Sequence, residues 1–135
     1  MLTSSIACIA YQNNKIFIAK RKPIGDMGGK WEFPGGKVES GETFEEAIQR
    51  EMQEEFFCDV KVIEKITESE FFHKNQKCSL NVYLISFLAE IDAKKENLPE
   101  HTDYKWVDLD EIKSLDFVDS DMNIYPSVCK FLCKK

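Results

Sequence analysis

Three carboxylates, Glu51, Glu54 and Glu55, stand at i, i+3 and i+4 inside the stretch GKVESGETFEEAIQREMQEEFFC, residues 36–58. On a helix these positions are surface neighbours, and like charges so placed repel by about 0.2–0.5 kcal/mol per pair. A helix carrying that cost either faces water and salt or holds a cation. Just upstream, Pro34 is followed by Gly35 and Gly36, a loop in which backbone can approach a ligand closely. A glycine-rich loop leading to a carboxylate-bearing helix suits hard oxygen-loving cations, hence Mg²⁺ or Mn²⁺.

The helix that must carry these groups is well specified. Thr43 followed three residues later by Glu46 is a capping box, which makes Thr43 the N-cap. Phe44, Ala47, Ile48, Met52 and Phe56 recur at helical spacing and predict a buried stripe on a helix over 44–56. Glu51 and Glu55 border that stripe, so they are expected at the rim of the core and not on the far solvent face.

The remaining pattern predicts a scaffold. Residues 3–11 and 15–20 are β-branched and apolar, joined by Asn13-Asn14, and read as a hairpin. Residues 22–30 read as a loop and 31–33 as a short strand. Strands are expected over 58–66 and 68–73, then a turn at 73–76 and a long strand over 78–89. A polar loop over 90–101 leads to a strand at 104–107, a short helix at 110–115 and a closing helix from 121 to 133. Pro126 must fall near the start of that last helix or kink it. The order predicts a single α/β domain over 1–135, a mixed central sheet between helices in an α/β/α sandwich.

Composition narrows the function classes. The chain has 135 residues, 43% hydrophobic and 31% charged, which is ordinary for a globular protein with a real core. Its net charge of −6 argues against a basic face for a nucleic acid polymer. Five cysteines, at 8, 58, 78, 129 and 133, form no C-x-x-C pair and no zinc set, so reduced thiols in a cytoplasmic protein are expected. Neither a signal peptide nor an apolar run of membrane-spanning length is visible, so no membrane partner is expected.

The stretch resembles the Nudix box, G-x5-E-x7-R-E-U-x-E-E-x-G-U with U apolar. Gly36, Glu42, Arg50, Glu51, Met52, Glu54 and Glu55 match, and Cys58 fills the last apolar slot. Phe57 stands where the family has Gly. That Gly normally serves as the left-handed residue closing the helix, so Phe57 either carries strain in that geometry or ends the helix differently. The resemblance extends to Lys15–Lys22, Trp31–Lys37, Trp106–Leu109 and Phe117–Asp121, and is greatest to the MutT group of nucleoside triphosphate diphosphatases.

The resemblance implies the Nudix fold and hydrolysis of a nucleoside diphosphate linked to a further group. It implies metal held by Glu51, Glu54, Glu55 and the Gly36 carbonyl, with Arg50 orienting a carboxylate of the box and Glu42 supporting the loop. Glu100, six residues before Trp106, matches a metal-binding or base Glu of the MutT group. Which Glu acts as base stays open, because carboxylates around one metal titrate together. Metal bridging carboxylates to phosphate lets an acidic protein bind a polyanion.

For the substrate, Arg21 and Lys37 are candidates for phosphates or the base edge, and Phe33 equally for the face of the base or for the core. Asp121 falls where MutT-type enzymes carry Asn or Asp. An ionised Asp only accepts hydrogen bonds, which suits a cytosine amine and suits guanine O6 only if the acid is protonated. Asn123, two residues on, is a second candidate for that contact. The expectation is a Mg²⁺-dependent enzyme cleaving 8-oxo-dGTP to the monophosphate and pyrophosphate. The alternatives are a (d)CTP or modified-pyrimidine diphosphatase and a non-catalytic nucleotide-binding domain. The partner is a small-molecule nucleotide, and monomer and dimer are both open.

Overall fold

Strands β1 (Thr3–Gln12) and β2 (Lys15–Arg21) carry uninterrupted apolar runs, at 6–11 and 16–19, where a one-faced strand would alternate, which marks strands covered on both faces. The computed structural model, which describes residues 3–133, shows how that pattern is used. Ile6, Cys8, Ala10, Phe17 and Ala19 face one cluster, with Ala47, Ile48, Met52 and Phe56 of helix α1 (Phe44–Phe56). Ala7, Ile9, Ile16 and Ile18 face the opposite cluster, with Ile124, Val128 and Leu132 of helix α2 (Asp119–Cys133). The period of two thus sorts one pair of strands into two cores, and the result is a sheet sandwiched between helices.

The other strands are β3 (Trp31–Glu32), β4 (Gly35–Lys37), β5 (Val60–His73), β6 (Gln76–Phe87) and β7 (His101–Val107). The sheet runs β3-β2-β1-β6-β5, with β4 paired to β1 and β7 to β2. Among the described strands the β1–β6 ladder is parallel and the other ladders antiparallel, so the sheet is mixed as expected. Short 3₁₀ turns lie at Lys95–Asn97 and Leu109–Ser114. Among the described residues no helix is long and apolar enough to cross a membrane.

Several elements depart from the expected bounds. The strands expected over 58–66 and 68–73 are one strand, β5, whose register against β6 shifts between Val62 and Glu64 and between Lys65 and Thr67. Bulges absorb the extra residues and bend the strand without ending it. Strand β7 begins at His101, not 104, because Arg21 of β2 pairs with it there. The Gly-rich stretch forms β4, laid against Ser5–Ala7. A Cβ on Gly35 would collide with the Ile6 carbonyl, so the close pairing requires glycine at that position. Helix α2 begins at Asp119, which puts Pro126 at its eighth residue and not in its first turn. The proline there removes the donor that would reach the Met122 carbonyl.

Both ends of α1 are set locally. Glu46 N–H donates to Thr43 Oγ1 at 3.1 Å and Thr43 N–H to Glu46 Oε1 at 2.9 Å, the expected capping box. At the exit Phe57 takes φ 55° and ψ 39°, and its N–H closes on the Gln53 carbonyl at 3.0 Å. The helix therefore keeps a glycine-type exit with a phenylalanine in it. Left-handed backbone costs an L-residue about 1–2 kcal/mol, and the half-exposed ring recovers little by burial. Phe57→Gly is expected to stabilise the protein by about 0.5–1 kcal/mol after the entropy of glycine is subtracted. Urea unfolding checks it, and a lower midpoint would show that the ring is needed.

Candidate active site

Pairing of β4 with β1 brings Gly36 against the face of α1 that carries Glu51. A Cβ on Gly36 would run into the Glu51 carboxylate, so glycine permits that approach without displacing the Glu51 side chain. Between these elements lies a cavity of about 590 Å³. Helix α1 contributes Glu51, Glu54 and Glu55, and β4 contributes Gly35, Gly36 and Lys37. Arg21 of β2, Glu32 of β3 and the Pro99-Glu100 segment ahead of β7 complete the wall. A volume in this range suits a small-molecule ligand.

The box carboxylates are held very differently. Glu54 is exposed, with a side chain 58% accessible, whereas Glu55 is buried and only 11% of its side chain is accessible. Burial, then the charges of Glu51, Glu32 and Glu100, push the Glu55 carboxyl up to about 10. The Glu51 carboxyl is also raised, burial again being the largest cause.

Arg50 lies behind this wall and ties it together. Its Nε and Nη2 donate to the two oxygens of Glu42 at 2.6 and 3.1 Å. Its Nη1 reaches Glu51 Oε1 at 2.6 Å and Glu54 Oε1 at 3.0 Å, and Nη2 also reaches the Lys37 carbonyl at 3.0 Å. Glu42 in turn accepts the Glu39 N–H at 2.8 Å, which fixes the loop before the helix. One planar guanidinium thus joins the loop, β4 and the helix, a task that suits its fork of donors.

The donor set suits a hard divalent cation. Every candidate ligand is oxygen, the carboxylates crowd one another, and Gly36 leaves its backbone open toward Glu51. Among the described residues no three His, Cys, Asp or Glu side chains already form a compact cage. Glu51 and Glu54 are instead turned to Arg50.

The candidates for the nucleobase are placed less simply. Arg21 and Lys37 line the cavity, Arg21 with Nη1 on Glu32 Oε1 at 3.1 Å. Phe33 is not among the residues that line the cavity. Its ring is 2% exposed and packs edge-on against Phe117, 5.1 Å between centroids, so it belongs to the core. Asp121 is buried at the start of α2 and accepts the Phe33 N–H at 2.9 Å. Asn123 lines a separate cavity with Met27, Phe71 and Val118. Two residues of the site region, Glu32 and His101, were not singled out from the sequence. Glu32 sits inside the quoted Trp31–Lys37 stretch and His101 directly follows Glu100, and those positions were the available signals.

Burial, then the charge of Glu32, push the Asp121 carboxyl up to about 8, against opposing effects of the Phe33 N–H and Arg21. The folded protein therefore keeps a proton that the unfolded chain loses near its ordinary carboxylate range. Stability from this group is lost as pH rises toward 8 and levels off above it. Asp121→Asn keeps an acceptor for Phe33 and never ionises. Relative to the parent, it is expected to gain on the order of 4 kcal/mol between pH 5 and pH 9. Paired melting curves across that range check it, and parallel curves would refute the buried acid.

The family model for the NUDIX domain matches residues 1–128. An 8-oxo-dGTP diphosphatase of Proteus vulgaris is 54% identical over 52 residues, 38% of this chain and 46% of that protein, so less than half of that relative's length is matched. An RNA pyrophosphohydrolase of Pelagibacter ubique is 31% identical over 135 residues, covering 87% of this chain and 82% of that one. The solution structure of the Escherichia coli ORF135 protein superposes with a TM-score of 0.85 at 24% identity, over 99% of this chain and 93% of that one, and shows the same fold. With its box seated on α1 and β4 at the mouth of the cavity, the chain belongs to the Nudix family.

Proposed function

We propose that the protein hydrolyses a nucleoside triphosphate to the monophosphate and pyrophosphate, with 8-oxo-dGTP as its substrate. The observation that carries this reading is the polarity of one cavity. Its lining combines the cations of Arg21 and Lys37 with the carboxylate oxygens of Glu51, Glu54, Glu55 and Glu100. Nudix hydrolases generally need divalent metal ions. Here Glu51, Glu54, Glu55, Glu100 and the Gly36 carbonyl would hold Mg²⁺, with Mn²⁺ as a substitute. When bound, the ion neutralises phosphate oxygens and lowers the barrier to attack by water.

The chain's own residues do the rest. Lys37 and Arg21 meet phosphate or the base edge. A carboxylate of the Glu51, Glu55 and Glu100 group takes the proton of the attacking water. Arg50 keeps Glu51 and Glu54 in place. Asp121, a buried acid with a raised pKa, has a proton to donate as well as an oxygen to accept. It then meets an oxidised guanine at O6, which an ionised Asp does not. The same group once ionised would favour a cytosine amine, and that is the second reading.

Pyrophosphate release with Mg²⁺ tests both, using 8-oxo-dGTP, dGTP, dCTP, CTP, 5-methyl-dCTP and a short 5′-triphosphorylated RNA. Preference for 8-oxo-dGTP over dGTP supports the proposal. Preference for cytosine nucleotides moves the substrate to the pyrimidine reading. Preference for the RNA, against which the net charge of −6 argues, overturns the small-nucleotide assignment.

A further inference from the structure

We propose that His101 is a positioning residue that ties the Arg21–Glu32 arm of the cavity to Glu55, so that substrate and metal are held at one spacing. The inference rests on the hydrolase reading above. His101 is 1% exposed, and β7 places it directly across from Arg21 of β2. Its ring stacks on Phe56, 5.0 Å between centroids and 22° between planes, and Phe56 is the neighbour of Glu55 on α1. The ring therefore cannot swing, and its two nitrogens point in fixed directions.

One nitrogen, Nε2, lies 2.8 Å from Glu32 Oε2, while the other oxygen of Glu32 takes Arg21 Nη1 at 3.1 Å. Arg21, Glu32 and His101 thus form one hydrogen-bonded row running inward from the cavity. The other nitrogen, Nδ1, is buried without a hydrogen-bond partner and lies 3.9 Å from Glu55 Oε1. A core histidine present only for packing has both nitrogens satisfied, because buried polar groups are almost always paired. This one spends one nitrogen on the substrate side and aims the other at the carboxylate on the metal side. His101 touches neither reacting atoms nor substrate. It acts through Glu32 and Glu55, as groups that orient ligands do.

Three variants test the geometry, with Mn²⁺ affinity by electron paramagnetic resonance beside steady-state kinetics. His101→Phe keeps a ring on Phe56 and loses both nitrogens. It is expected to raise the nucleotide KM and lower Mn²⁺ affinity, each by about 10-fold. His101→Gln carries a donor at the reach of Nε2 and is expected to restore KM. Glu32→Gln is expected to raise KM without lowering Mn²⁺ affinity, and combined with His101→Phe to raise KM no further. A packing role would move melting temperature alone. Parental KM and Mn²⁺ affinity in His101→Phe, or KM effects that multiply in the double variant, would overturn the proposal. If no nucleotide is turned over, the hydrolase reading fails. Mn²⁺ affinity then decides this inference, a parental value in His101→Phe overturning it and a loss supporting it.

Discussion

Glu55→Gln is expected to lower turnover by roughly 10³-fold while making the metal-free protein more stable than its parent. The two effects share one cause. Glu55 is a carboxyl pressed into the wall of the cavity, with burial, Glu51, Glu32 and Glu100 all raising its pKa, to about 10. In the absence of a cation the folded state holds its proton long after an unfolded chain has released one. Stability therefore falls as pH rises from the ordinary carboxylate range toward 10. A glutamine of the same shape does not ionise and escapes that fall. Its advantage should be small at pH 5 and grow through pH 9. Divalent metal reverses the ranking, because the parent can deprotonate and ligate whereas the variant cannot. Melting curves at three pH values with and without Mg²⁺, beside pyrophosphate release, check all of this. A variant still stabilised by Mg²⁺ as strongly as the parent would remove Glu55 from the ligand set.

Arg50→Ala is expected to cost both catalysis and fold, about 10- to 100-fold in turnover with a comparable rise in the Mg²⁺ requirement. Arg50 bonds the loop through Glu42, strand β4 through the Lys37 carbonyl, and its own helix through Glu51 and Glu54. Removing it leaves three carboxylates facing one another with no cation between them. The stability loss is expected at roughly 1–3 kcal/mol, because these are charge-assisted bonds, partly shielded from water. Arg50→Lys should recover little, since an ammonium cannot span the bidentate pair on Glu42 and still reach Glu51. Mg²⁺ titrations of activity and urea unfolding measure the two losses separately. A change below about 1 kcal/mol with unaltered turnover would reduce Arg50 to an ordinary surface ion pair.

Helix α1 was legible because everything that defines it is local. Its stripe is a matter of 3.6-residue spacing, its start a four-residue box, and its three carboxylates sit at i, i+3 and i+4. The order of the elements likewise predicted a mixed sheet between helices. Even the strained exit at Phe57 was a question the sequence could pose, although only the backbone answered it, with φ at 55°.

The other side of the site was not legible to the same degree, because it depends on pairings between distant segments. Phe33 was as good a candidate for the base as for the core. Its place in the core follows from the register of β3 and from Phe117, far along the chain. Asp121 is raised in pKa by burial and by Glu32, and it is tethered to a backbone N–H 88 residues away. His101 joined the site only because β7 starts early, in register with Arg21. The sequence alone determined the family, the sandwich and which carboxylates share a helix face, since those follow from short-range spacing. Tertiary structure alone decided which carboxyls are buried, which cations they meet and which aromatic turns inward. Burial and cross-strand register are properties of packed surfaces, and no local spacing encodes them.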